Sequence, residues 1–221
     1  LDAIARDRAL LRGFAAERVA VLPAGVDLSV YRPGLASALV TRHHVRGRML
    51  LHVGPIVHGR GLEILIEAFA RTVGQRDDWS LVLAGDGDAR PALRARVERL
   101  GIASRVRWLA RPREEELPGL ISASTLFAVP ALGDDVRGRQ IPRAMACGIP
   151  VLASDLSSLR WLVEHEGSGL LAAAGDLEGW TEMLRRASMS PEARRRWSHR
   201  AREIVETRFA WPRVAQEFEA R

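Results

Sequence analysis

Glycine and arginine recur together at three places along this chain, and that pairing suits one kind of chemistry. Gly54-Pro55-Ile56-Val57-His58-Gly59-Arg60-Gly61 is the first, Gly85-Asp86-Gly87-Asp88-Ala89-Arg90 the second, and Val136-Arg137-Gly138-Arg139 with the nearby Arg143 the third. Glycine lets a backbone approach a ligand closely, the first turn of a following helix adds unpaired N–H donors, and guanidinium can hold phosphate through two parallel hydrogen bonds. A ligand carrying phosphate is therefore the expected occupant of these loops. The first loop has the glycine spacing of a nucleoside-triphosphate loop, but it lacks the lysine, and Gly61 cannot offer magnesium a hydroxyl. The second begins like a dinucleotide fingerprint, yet Arg90 stands where the third glycine belongs. Asp86 has a simpler reading as the cap of the helix that follows. The six histidines show neither the i, i+4 pairing nor the cysteine-rich spacing of a metal site, so no metal is expected.

These loops need elements to hold them, and the apolar pattern supplies them. Met49–Val53, Leu81–Ala84, Val106–Leu109, Leu126–Val129 and Val151–Ala153 are short, nearly continuous apolar runs. Between them, apolar residues repeat at helical spacing, as in Leu62, Leu65, Ile66 and Phe69, or Leu93, Val97 and Leu100. Residues 114–122 read as helical, a short helix ends at Gly148, and the chain beyond Leu171 is almost wholly helical. Strands of this kind alternating with helices predict an α/β fold: a doubly wound parallel sheet with helices on both faces. In such a fold, ligands bind beyond the carboxyl ends of the strands. The rim there consists of residues 54–61, 85–88, 110–113 and 131–139.

Composition removes other classes. A chain of 221 residues, 47% of them hydrophobic, is long enough to bury a sizeable core, and its 27% charged residues argue against disorder. No apolar run approaches the roughly 18 residues a membrane helix requires. Asp2, Arg6, Asp7 and Arg8 interrupt the opening turns, so no signal peptide is read there. The net charge of +6 resembles a nucleic-acid signature, but all 33 basic residues are arginine, with no lysine anywhere. They sit beside Glu and Asp at helical spacing, as in Arg94-Ala95-Arg96-Val97-Glu98-Arg99, which describes a solvated helix face; no nucleic-acid partner is expected. The single cysteine, Cys147, has apolar neighbours and reads as a buried small hydrophobe in a reducing compartment. Trp108, Trp161, Trp180 and Trp197 read as packing residues.

Six segments, in order, resemble one family. Val21-Leu22-Pro23-Ala24-Gly25-Val26-Asp27 followed by Tyr31-Arg32-Pro33-Gly34, the loop from Val53 to Leu62 with Ile66-Glu67-Ala68-Phe69, and Leu83-Ala84-Gly85-Asp86-Gly87 are three of them. Ala144-Met145-Ala146-Cys147-Gly148-Ile149-Pro150-Val151, Gly167-Ser168-Gly169-Leu170-Leu171 and Arg208-Phe209-Ala210-Trp211 complete the series. Together they resemble the C-terminal, donor-binding half of family-4 glycosyltransferases of the GT-B fold, in which two Rossmann-like domains face each other across a cleft. The resemblance implies a donor-binding domain over residues 19–208, a helix over 1–18 belonging to a missing N-terminal acceptor domain, and a C-terminal helix over 209–221 that crosses back to it. It also implies sugar transfer with retention from a nucleotide-diphosphate sugar to a saccharide or lipid-linked acceptor, without metal or other cofactor. The setting would be cytoplasmic, with peripheral contact at the inner face of the membrane for lipid-linked acceptors.

Site residues follow from the same resemblance. Arg60 occupies the slot of the cation that neutralises the departing diphosphate, and Asp135, or Asp134 if the loop slips by one residue, the slot of the carboxylate beside the reacting sugar carbon. Gly54, Gly85 and Gly138 would allow close backbone approach, and Arg111 lies where the nucleotide base passes. Two departures bear on activity. Pro55 replaces the family's second phosphate-binding cation and has neither charge nor N–H. Arg143 replaces the carboxylate that binds the ribose hydroxyls, and guanidinium accepts no hydrogen bond. One reading is a rewired site in which Arg137, Arg139 or Arg143 restores the lost charge. The other is a degenerate domain that binds a nucleotide or a partner without turnover.

Overall fold

The computed structural model describes residues 10–15, 19, 23–133 and 138–219. Helix α1, Ala38–Arg42, is capped by the Ser37 hydroxyl, which accepts from the Val40 N–H. There follow β1 (Arg48–Val53), α2 (Leu62–Thr72), β2 (Trp79–Ala84), α3 (Arg90–Arg99), β3 (Val106–Leu109), α4 (Leu117–Ser122) and β4 (Leu126–Val129). The second half runs α5 (Gln140–Ala146), β5 (Val151–Ser154), α6 (Ser157–Arg160), β6 (Gly169–Ala172), α7 (Leu177–Met189), α8 (Pro191–Ile204) and α9 (Trp211–Glu219). The expected alternation is present. Residues 114–122 divide, with a 3₁₀ turn over Glu114–Glu116 preceding α4, whose first turn contains Pro118. Of the helix expected over residues 1–18, residues 1–9 and 16–18 lie outside the described residues.

The six strands pair in parallel in the order β3-β2-β1-β4-β5-β6. Successive side chains of each strand face opposite sides of the sheet, so each strand feeds two cores. Leu50 joins Phe69, Trp79, Leu81 and Trp180 on one side, under α2 and α7. Leu51 joins Phe127, Met145, Leu159 and Phe209 on the other, under α5 and the C-terminal helices. Each fully buried side chain of this size contributes about 1.5–3 kcal/mol, which explains why strands this short are stable. Trp180 and Trp197 are buried, while Trp108 is approached by the guanidinium groups of Arg90 and Arg94, 5.7 and 5.6 Å from its ring centre. Cys147 is buried after α5, and desolvation pushes its thiol up to about 12, so it stays protonated at neutral pH. The amino-terminal connector is tied to the far end of the chain: Val26 N–H donates to Phe209 O at 2.7 Å, and Trp211 N–H donates to Val26 O at 3.2 Å.

The order of strands reverses between β1 and β4. Both chains leave the sheet there, and their loops touch backbone to backbone. Gly61, in the left-handed region at φ 70°, begins α2; a Cβ there would lie 1.7 Å from Pro130 O at the end of β4. Gly59, two residues earlier at φ 79°, has open space around it. The pair separates two costs, since both positions carry the dihedral penalty but only Gly61 carries the overlap. Gly61→Ala should therefore destabilise the domain by about 3 kcal/mol or more and Gly59→Ala by about 1 kcal/mol, read as shifts of the urea midpoint at constant slope. Equal shifts would show that the approach to Pro130 relaxes at little cost.

Candidate functional site

Two adjoining cavities, about 190 and 680 Å³, open at the point where the strand order reverses. They share Val53, Gly54, Pro55, Arg139 and Gln140 in their walls and so form one groove across the carboxyl end of β1. The smaller part extends to His52, Arg60, Val129 and Gly138. The larger part extends to Gly85, Asp86, Arg111, Arg113 and Glu114. Its floor is rigid because backbone bonds lock the rim loops together. Gly54 N–H donates to Ala84 O at 3.0 Å, Ile56 N–H to Asp86 O at 2.9 Å and Gly85 N–H to Leu109 O at 3.2 Å. Gly85, at φ 154°, could not carry a side chain, since its Cβ would lie 1.9 Å from Gly54 O.

The expected site residues separate into groups. Gly54, Arg60, Gly138 and Arg139 converge on the smaller cavity, and Gly85 and Arg111 on the larger, with Arg139 at the junction. Asp135, together with Asp134, Val136 and Arg137, lies outside the described residues. Arg143 is directed elsewhere. Its guanidinium pairs with Glu114, donates to Gln140 Oε1 at 3.3 Å and lies 5.0 Å from the centre of the Tyr31 ring. It belongs to neither cavity wall, so of the candidates for the charge lost at Pro55 that lie among the described residues, Arg139 is the one in the groove. Asp86 does not cap α3, whose N-cap is Ala89 without a side-chain bond. Instead its Oδ2 accepts from the Arg111 backbone N–H at 3.0 Å and its Oδ1 from Arg90 at 3.1 Å, which ties the loop after β2 to the loop after β3. A backbone donor 25 residues away outcompeted the local cap. Arg113 is engaged with Glu115 and Glu116.

Sequence reasoning missed His52, a polar residue inside an apolar strand. The imidazole is buried, and its Nδ1 lies 2.9 Å from Ala128 O on the neighbouring strand. A carbonyl only accepts, so Nδ1 carries the proton and Nε2 presents a lone pair. Nε2 is buried without a hydrogen-bond partner, and a Cβ on Gly54 would stand 3.1 Å from it. The readable signal was a histidine in a strand immediately before the first glycine loop. Burial lowers its pKa to about 4, opposed by the bond to Ala128 and assisted by the Arg60 charge. The folded value lies below the unfolded one, so the unfolded chain binds more protons as pH falls from about 6.5 towards 4. Stability at this site is complete above that window and is lost through it, by about 3 kcal/mol. His52→Phe keeps an aromatic ring and removes the titration. Urea denaturation at pH 7 and pH 4 should show the wild type losing about 3 kcal/mol more than the variant; parallel losses would place a protonated imidazole in the native state.

Comparison with known proteins agrees with this architecture. The family of glycosyl transferases group 1 matches residues 40–204. The chain is 31% identical over 218 residues to the D-inositol 3-phosphate glycosyltransferase of Salinispora tropica, covering 90% of this chain and 45% of that protein. The corresponding protein of Jonesia denitrificans is 29% identical over 215 residues, with 86% and 50% covered. The chain thus spans about half the length of the curated relatives it matches. Among solved structures, Anabaena HepE in complex with UDP superposes with a TM-score of 0.88 at 24% identity, over 99% of this chain and 61% of that one. The C-terminal domain of the group 1 family protein LpcC from Francisella tularensis does so at 0.76 and 18% identity, over 85% of this chain and 100% of that domain. The chain belongs to the group 1 glycosyltransferases and has the Rossmann-like fold of the C-terminal half of a GT-B enzyme.

Proposed function

We propose that this domain holds a nucleotide-diphosphate sugar and presents it for transfer of the sugar, with retention, to a saccharide or lipid-linked acceptor bound by a second domain. The observation that carries this reading is the groove at the strand-order reversal, with Arg60 and Arg139 on the walls of its narrow part and Gly54 and Gly138 beside them. The diphosphate lies in the narrow part, and the nucleoside extends towards Gly85 and Arg111. As the bond to the anomeric carbon breaks, negative charge grows on the leaving phosphate, and preorganised cations there lower the barrier. The departing phosphate takes the acceptor proton, so no protein base is assigned, and the arginines neutralise charge without a metal or other cofactor. HepE, similar in fold, has been crystallised with UDP and with UDP-glucose, which supports this ligand class.

No helix among the described residues is long and apolar enough to cross a membrane. We place the reaction on the cytoplasmic side, with peripheral contact at the inner membrane face where the acceptor is lipid-linked. A second reading, a domain that binds a nucleotide without turnover, is favoured by Pro55, which brings neither charge nor N–H to both parts of the groove.

Calorimetric titration with UDP, GDP, ADP and their sugar conjugates tests the first reading. Saturable binding with a preference among the bases is expected. Arg60→Ala and Arg139→Ala should each weaken it about 10- to 100-fold, whereas Arg195→Ala, on the exposed face of α8, should leave it unchanged. An Arg60→Ala affinity equal to that of Arg195→Ala would remove Arg60 from the site. Binding that never leads to sugar transfer once the acceptor domain is supplied would favour the second reading.

A further inference from the structure

The wide part of the groove holds a carboxylate where phosphate chemistry alone would call for none. Asp86 and Glu114 both stand in its wall. Asp86 is already occupied at both oxygens, by the Arg111 backbone N–H and by Arg90. Glu114 is not. Its Oε1 pairs with Arg143, and its side chain remains 68% exposed at the groove. Arg143 in turn is fixed on three sides, by the Glu114 carboxylate, by Gln140 Oε1 at 3.3 Å and by the Tyr31 ring at 5.0 Å. Tyr31 is itself buried, so the cation rests on a rigid platform. The result is an oriented carboxylate with its second oxygen able to accept, carried by the turn after β3 and held in place by a helix on the other side of the groove.

Its chemistry limits what it can bind. An ionised carboxylate repels phosphate and only accepts hydrogen bonds. Neutral donors are its partners, and two adjacent hydroxyls suit one carboxylate well, giving charge-assisted bonds in a fixed geometry. The remaining charged groups of this cavity wall, Arg111, Arg113 and Arg139, are donors that cannot perform this task.

We infer that Glu114, positioned by Arg143, accepts hydrogen bonds from the ribose hydroxyls of the bound nucleotide. This rests on the nucleotide reading of the groove. It turns the reversed charge at position 143 from a defect into half of an exchanged pair: the guanidinium sits on α5, and the carboxylate it orients comes from the opposite wall. Glu114 touches the ligand in this arrangement, and Arg143 is a positioning residue.

The test compares, for whichever of UDP, GDP and ADP binds best, the ribonucleotide with its 2′-deoxy form. Wild type should favour the ribonucleotide about tenfold. Glu114→Gln, an exposed and nearly isosteric change, should bring the ratio close to one by weakening ribonucleotide binding more than that of the deoxy form, which keeps only its 3′ hydroxyl. Arg143→Met, which keeps an apolar stem on Tyr31, should move the ratio the same way to a smaller extent. Arg60→Ala should lower both affinities by one factor and preserve the ratio, an effect that general loss of charge would produce and loss of a ribose contact would not. Equal binding of the two forms by wild type, or an unchanged ratio in Glu114→Gln, overturns the role of Glu114 and leaves the nucleotide reading standing. Failure of all three nucleotides to bind wild type overturns both.

Discussion

Everything in the groove depends on backbones approaching closer than any side chain would allow. At the strand-order reversal, Gly85 lies against Gly54 O and Gly61 against Pro130 O, at distances where a Cβ would overlap. These contacts bring the loops after β1, β2 and β4 onto one rim. Ile56 N–H to Asp86 O and Ala89 N–H to Ile56 O then stitch the first two loops together. With the rim fixed, residues more than 50 positions apart, such as Gly54 and Arg111, line one continuous groove. A rim held by flexible side chains would lose several rotamers' worth of entropy each time a ligand bound; one held by backbone is preorganised.

The abundance of arginine serves two purposes, and the structure separates them. Several guanidinium groups join elements at the surface. Arg71 on α2 meets Glu178 on α7 at 2.6 Å, Arg96 on α3 meets Glu67 on α2 at 3.0 Å, and Arg200 on α8 meets Glu164 at 2.9 Å. Exposed pairs of this kind contribute about 0–1 kcal/mol each and are screened by salt. Arg60 and Arg139 differ in place: they stand at the narrow part of the groove, beside glycines. A cation excess scattered over helix faces gives solubility, whereas two cations lining one cleft concentrate positive charge there.

The architecture was legible because strands buried on both faces must be nearly all apolar. Met49–Val53 and Leu81–Ala84 announced themselves that way, and Gly148 marked a helix end. The glycine and arginine loops were legible as a phosphate chemistry for the same local reason. What escaped was whatever depended on a partner distant in sequence. Asp86 looks like a helix cap until the Arg111 amide arrives from the next strand, and His52 looks like a strand residue until Ala128 O takes its proton donor. Arg143 looks like a stray charge until Glu114, 29 positions earlier, and Tyr31, far earlier still, close around it. Periodicity carries no information on such meetings, because they are set by how loops cross the rim and not by the pattern within any element.

That difference bears on how the departures at Pro55 and Arg143 are to be read. Taken one at a time, each subtracts a function: one loses a cation, the other loses an acceptor. Taken together with their surroundings, neither position stands alone. Pro55 lies in the shared wall of both cavities, and the cation nearest that junction along the groove is Arg139, at the start of α5. Arg143, one turn further along, lines neither cavity and pairs with Glu114 in the wall of the wide part. Arg139, at the N-cap of this short helix, thus lines both parts of the groove, while Arg143, inside the helix, reaches the wide part only through Glu114. A half-buried guanidinium without partners costs several kcal/mol, and Arg143 meets that cost with an aromatic ring and an acid. The same pairing fixes the Glu114 carboxylate in the wall of the wide part.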